Sequence, residues 1–226
     1  INIENQNISV SGTISVENAN NLDDATGGTI TASIDTTESV DTLKTLTGTT
    51  HAYTIVIAAG DAETTTAADL NTINGKTTGT IDASAITVLA SDTITNIQTL
   101  LTAGNDTDQF EAASFGSLTG VTVSDETLDG SKLADAIDQA NLATEDTSVV
   151  FTISDAVTIE GSEANFTALL TDDDNSQIDI DTQNLSVSGT ISVENANNLD
   201  ASRIRESSLS TKCQKSTTDR MPSITP

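Results

Sequence analysis

The chain has 226 residues, 35% of them hydrophobic and only 2% aromatic, enough for one large domain or two small ones but short of the large rings that usually dominate a core. Thirty-four acids against eight bases give a formal net charge of −26, which excludes nucleic acid and anionic membranes as partners and favours cations and water. The single cysteine, Cys213, leaves no pair for an intrachain disulfide.

In chain order the first marked feature is residues 6–23, QNISVSGTISVENANNLD, which return at 183–200 with Ile8 replaced by Leu185 as the only difference. The offset is 177 residues. Residues 1–177 therefore read as one long repeat unit containing several strand-and-helix modules, and 178–202 as the start of the next copy. A chain that begins its own repeat again reads as a slice of a longer repetitive protein.

Within the unit a scheme recurs: a short β-branched run, a turn bearing Asp, Ser, Thr or Gly, then apolar residues three or four apart. Ile8 to Val10 precedes residues 15–22, and Ile86 to Val88 precedes 93–101. Val121 to Val123 precedes 130–137, and Phe151 to Ile153 precedes 161–170. The first part of each module predicts a strand, with starts near Ile8, Ile30, Ile55, Ile86, Val121, Phe151 and Leu185. The second predicts a short helix whose N-cap oxygen comes from Ser15, Thr37, Ser131 or Ser162. Helices of about two turns are unstable alone and must pack on neighbours. With Ile, Leu, Val and Ala spread evenly, the expected fold is β-rich with short helices, an elongated solenoid-like stack of strand-plus-short-helix units sharing a thin core.

Gly27, Gly28, Gly48, Gly75, Gly79, Gly104 and Gly120 punctuate the runs as turn residues do. Residues 104–120 carry acids and two phenylalanines without clear periodicity and read as a loop or insertion. From Arg203 the character changes: five of the eight bases and both prolines lie in 203–226, a basic tail expected to be disordered or non-native. Removing it leaves three bases against 32 acids, a net of −29 for residues 1–202. No apolar run approaches 18 residues and no charged-then-apolar leader opens the chain, so neither a membrane span nor a signal peptide is predicted.

The chemistry-bearing residues are few. His51 is the sole histidine, stands in a Thr-rich stretch without a nucleophile motif, and reads as a polar loop residue. No Gly-rich phosphate loop is present, since Gly27 and Gly28 lack the lysine that would contact phosphate. A solenoid lyase or hydrolase needs clustered carboxylates beside a base, and only Lys44, Lys76 and Lys132 precede the tail. Calcium, which takes six to eight oxygen ligands, is the better ligand hypothesis. Its densest candidate site is Asp172, Asp173 and Asp174, with Asp179 and Asp181 close behind, although the EF-hand spacing and the glycine-rich calcium nonapeptide are missing. Asp172 to Asp174 also read as a solvated turn.

The runs ADLNTINGKTTGTIDASAITVLASDTITNIQTLL (68–101) and VTVSDETLDGSKLADAIDQAN (121–141) resemble the giant Thr/Asp-rich repeat proteins secreted to the cell surface by marine cyanobacteria and some proteobacteria. The resemblance implies a type I-exported, extracellular or cell-surface protein concerned with adhesion, motility or envelope cover. The expected function is thus a non-enzymatic structural segment whose partners are adjacent repeats of the same protein. The alternatives are a fibre segment that binds a receptor or surface glycan, and a calcium-binding surface module.

Overall fold

A computed structural model describes residues 3–144, 149–153 and 157–200. The basic tail expected to be disordered or non-native lies outside the described residues. The strands are β1 (Ile8–Ile14), β2 (Ile30–Ile34), β3 (Ala52–Val56), β4 (Ile81–Asp82), β5 (Val88–Asp92), β6 (Gly120–Val123), β7 (Thr127–Asp129), β8 (Val150–Ile153), β9 (Thr158–Gly161) and β10 (Asn184–Val187). Six of the seven expected starts fall inside one, the run expected at Ile86 begins only at Val88, and β4, β7 and β9 fall at no expected start. The period of two is clear in β2, where Ile30, Ala32 and Ile34 point into the core and Thr31 and Ser33 into solvent.

The intervening segments form α1 (Val16–Ala25), α2 (Val40–Leu43), α3 (Ala67–Asn74), α4 (Ile94–Gly104), α5 (Gly130–Thr144) and α6 (Glu163–Asp174), a 3-10 turn at Ala59–Asp61, and a further helical stretch at 193–200. Hydroxyl oxygens of Ser15, Ser39, Thr66, Thr93 and Ser162 accept an amide three residues on, and Thr66 with Asp69 and Ser162 with Asn165 form reciprocal capping boxes. Two expected caps are displaced. Thr37 instead turns its amide and hydroxyl onto Asp35, leaving the cap to Ser39. Ser131 lies inside α5, whose first amides, those of Ser131 and Lys132, donate to Asp129 at 2.9 and 3.3 Å.

Strand pairing is parallel throughout, with the order β1-β2-β3-β4 in one sheet, β5-β6-β8 in a second and β7-β9-β10 in a third. Parallel neighbours require a crossover, and the helices supply it. The expected β-rich, elongated solenoid-like stack is therefore corrected: the described residues form a mixed α/β fold with three small parallel sheets and, among them, no solenoid and no closed barrel. Two physical reasons account for the difference. Helices α4 and α5 run to 11 and 15 residues, because Leu100 and Leu101 in α4 and Ala136, Ile137 and Ala140 in α5 keep helical spacing and are buried. The strands are short and divide among separate ladders instead of extending one.

Ile, Leu, Val and Ala from every sheet form one apolar cluster, and all five aromatic rings (Tyr53, Phe110, Phe115, Phe151 and Phe166) are buried in it. Residues 104–120 hold no helix or strand between their ends, yet they are not a solvent loop: Phe110 bridges to Ile81 and its ring meets that of Phe115 at 5.3 Å. A second layer of repetition appears only in three dimensions. Asn74 donates to Gln109 Oε1 (2.7 Å) beside the Ile81–Phe110 bridge, and 67 to 70 residues later Gln177 donates to Asn141 Oδ1 (2.6 Å) beside the Phe151–Ile178 bridge.

Two glycines are required by close approach of backbone. A Cβ on Gly28 would collide with the Gln6 carbonyl, and one on Gly79 with the Tyr53 carbonyl. Each sits two residues after a threonine, Thr26 or Thr77, whose hydroxyl accepts that glycine's amide (3.0 and 2.9 Å) and donates to the same carbonyl, Gln6 O or Tyr53 O (both 2.7 Å). The threonine thus clamps the incoming strand, and glycine leaves room for it.

Candidate functional site

Much of the excess negative charge is structural. Each early helix presents an orphan amide at its N-terminus, and a carboxylate from the following module takes it: Val16 N donates to Glu38 (3.0 Å), Val40 N to Asp61 (3.1 Å), Ala68 N to Asp92 (2.6 Å) and Ile94 N to Asp125 (2.6 Å). An anion there also meets the positive end of the helix dipole. Asp92 does most, because its second oxygen takes Thr93 N and Asn96 Nδ2, both at 2.7 Å. This run of clamps has a sequence signal that cap analysis overlooks: Glu38 and Asp92 directly precede the next cap residues, Ser39 and Thr93.

His51 lies outside helix and strand, as expected of a loop residue, but it is buried at 3% exposure. Its Nδ1 accepts the Ile30 amide (3.1 Å), so the ring proton sits on Nε2 and is donated to Asp23 (2.6 Å). That hydrogen bond, with a second from Thr47, holds the Asp23 carboxyl below its usual range. Burial, helped by Asp23, pushes the Tyr53 hydroxyl up to about 12. The His51 ring is thus a tie between β2, β3 and α1, with both nitrogens engaged. Lys44 similarly joins α2 to α3, reaching Asp41 at 2.8 Å and Asp69 at 2.6 Å, which raises it to about 12. Burial pushes Asp69 up, but Lys44 and Thr66 outweigh it and leave the carboxyl low.

The predicted calcium residues are distributed as follows. Asp172, Asp173 and Asp174 close α6, where acids oppose the helix dipole. Burial and the nearby Asp138 raise Asp172 to about 6. Burial also raises Asp173, although its Oδ1 accepts the Ile180 amide at 3.1 Å. Asp179 accepts the Asp181 amide at 3.0 Å. Asp173, Asp179 and Asp181 share the wall of an open pocket of ≈ 430 Å³ with Thr182 and Gln183, whereas Asp172 and Asp174 do not line it. Among the described residues no three His, Cys, Asp or Glu side chains form a group that could hold a metal ion. Among the described residues, too, no helix is long and apolar enough to cross a membrane.

The feature with most functional content is the duplicated segment. Both copies share a glycine turn and a capped helix start, although strand runs on to Ile14 in the first and ends at Val187 in the second. Gly12 and Gly189 have φ of 87° and 86°, Ser15 and Ser192 accept the amides of Asn18 and Asn195 at 3.2 and 3.1 Å, and helix begins at Val16 and at 193. Their surroundings are opposite. β1 pairs forward with β2, in the register Ile8↔Ile30, whereas β10 pairs backward with β9, in the register Leu185↔Ile159. Val16 is 2% exposed and its counterpart Val193 is 78% exposed. Conversely Gln183 is 1% exposed while its counterpart Gln6 is exposed. One copy is covered on one side, the other on the other. The matching words are visible in the sequence, but the side on which each copy is covered is not.

No protein-family model, characterised protein or solved structure matches this chain. The resemblance of residues 68–101 and 121–141 to Thr/Asp-rich surface proteins accordingly rests on those residues alone.

Proposed function

We propose that the chain is a non-enzymatic structural segment of a long secreted or cell-surface repeat protein, in which it provides spacing and an acidic, hydrated surface. The observation that carries this reading is the duplicated segment, alike in its glycine turn and capped helix start and covered on opposite sides in its two positions. A module designed to be flanked on both sides is the natural source of such a pair. The chemistry agrees: the sole histidine and many of the acids are committed to holding helices and strands together. All five aromatic rings are buried, leaving none to stack on a sugar, which weighs against the glycan-binding alternative.

The test is the full parent gene together with protease shaving of intact cells. Tandem units at a 177-residue period and release of their peptides from unbroken cells are expected. A parent carrying this unit once, or peptides released only after lysis, would overturn the reading.

A further inference from the structure

Resting on that reading, we infer that the outer edge of β1 is a docking edge for the β9 edge of a second copy of this repeat, and that consecutive copies share one sheet across their junction. The partner's geometry is already present in the molecule, because β10 repeats the β1 sequence and shows how it seats on β9. Peptide groups along a strand alternate in direction. Ile8 N–H points to β2, donating to Thr29 O at 2.9 Å. Asn184 and Ser188, the counterparts of Asn7 and Ser11, point their N–H groups to the β9 side, donating to Val157 O and Gly161 O at 2.8 and 2.7 Å. The two pairings therefore use opposite edges of the same strand and do not compete. A single copy of the segment can hold both neighbours at once.

The 177-residue offset fixes the register. Asn7, Ile8, Ser9 and Val10 of one copy lie against Thr158, Ile159, Glu160 and Gly161 of the other, as Asn184 to Val187 do here. Glu163 of the preceding copy accepts the Ser15 amide and the Asn18 side chain, as it now accepts Ser192 N (3.2 Å) and Asn195 Nδ2 (2.5 Å). Those bonds already hold the Glu163 carboxyl below its usual range. Because Glu38 takes the adjacent Val16 amide, the helix start is held by an acid from each side. β7 and β9 of one copy then join β1, β2, β3 and β4 of the next in a single parallel sheet, Gln6 becomes as buried as Gln183, and Val193 as buried as Val16.

The experiment is a two-copy protein made by continuing residue 200 of the full chain with residues 24–202, compared with the 226-residue chain by amide hydrogen exchange. The Leu185 amide, which faces away from β9 here, is expected to exchange at least tenfold more slowly in the two-copy protein, where it donates to the second copy's Thr29 carbonyl. Unchanged Leu185 exchange in a two-copy protein whose second repeat is folded overturns the docking edge, while leaving the repeat-protein reading to the gene and shaving results. A second variant guards against misfolding of the two-copy protein. Deleting residues 183–226 uncovers β9, and this variant is expected to associate head to tail with rising concentration and to return to monomer when excess peptide 183–200 is added. A deletion variant with native circular dichroism that stays monomeric at every concentration also overturns the inference.

Discussion

Replacing Val16 and Val193 separately by alanine isolates the effect of position from that of sequence, because the flanking residues from 9 to 23 recur unchanged at 186 to 200. Truncating valine to alanine removes two carbons, worth ~0.8 kcal/mol each when fully buried. For Val16, 2% exposed, the transfer loss is about 1.6 kcal/mol. The cavity left behind adds to it, and the better helix propensity of alanine returns about 0.5 kcal/mol. The net cost is about 1.5 kcal/mol, or a fall in Tm of roughly 3–6 °C for a domain of this size. For Val193, 78% exposed, only about a quarter of the transfer term applies and the propensity gain cancels it, so the change is within ~0.5 kcal/mol of zero. Urea unfolding followed by circular dichroism measures both. Equal costs at the two sites would refute the claim that the copies are covered on opposite sides. In the two-copy protein the internal Val193→Ala is expected to cost as much as Val16→Ala.

Gly79→Ala is expected to destabilise by about 2–3 kcal/mol, because the added carbon meets the Tyr53 carbonyl, part of the backbone that cannot move aside. Gly60→Ala, with open space around it, is the control and stays within ~0.5 kcal/mol in the same urea assay. Asp172→Asn is expected to stabilise the protein near neutral pH. Its carboxyl lies at about 6 when folded against 3.8 when unfolded, so ionisation is penalised in the folded state and stability falls as pH rises through that window. The shift corresponds to roughly 3 kcal/mol, discounted to about 1 kcal/mol because water still reaches the group. Thermal melts between pH 4 and 7 should show the variant's advantage growing across that range, and an advantage already complete at pH 4 would refute the assignment. Asp23 has the opposite sign: its lowered carboxyl contributes stability that is present above its ordinary value and lost as pH falls through the folded one.

Local rules made the modules legible. Ile8, Ile30, Ile55, Val121, Phe151 and Leu185 all fall in strands, and Ser15 and Ser162 both cap helices, because β-branched alternation and hydroxyl caps act over a few residues. Assembly was not legible in the same way. Nothing in the neighbourhood of His51 announces that Ile30 and Asp23, 21 and 28 positions away, will enclose its ring. Phe110 and Phe115 lack periodicity since they fill a gap between elements and do not form a face of one. Asp172, Asp173 and Asp174, with Asp179 and Asp181, read as a ligand cluster from proximity along the chain, whereas in three dimensions only Asp173, Asp179 and Asp181 share a pocket wall.

The amino-acid order alone established that an 18-residue segment recurs after 177 positions, that strands and helices alternate, and that the chain is strongly acidic. Tertiary structure decided that every pairing among the described residues is parallel, that their strands divide into three small sheets, and that Glu38, Asp61, Asp92 and Asp125 hold helix starts. It also decided which edge of the recurring strand is occupied in each place. The reason is that a peptide group's direction and a side chain's cover depend on which neighbour lies alongside, and that neighbour comes from residues far along the chain or from another copy.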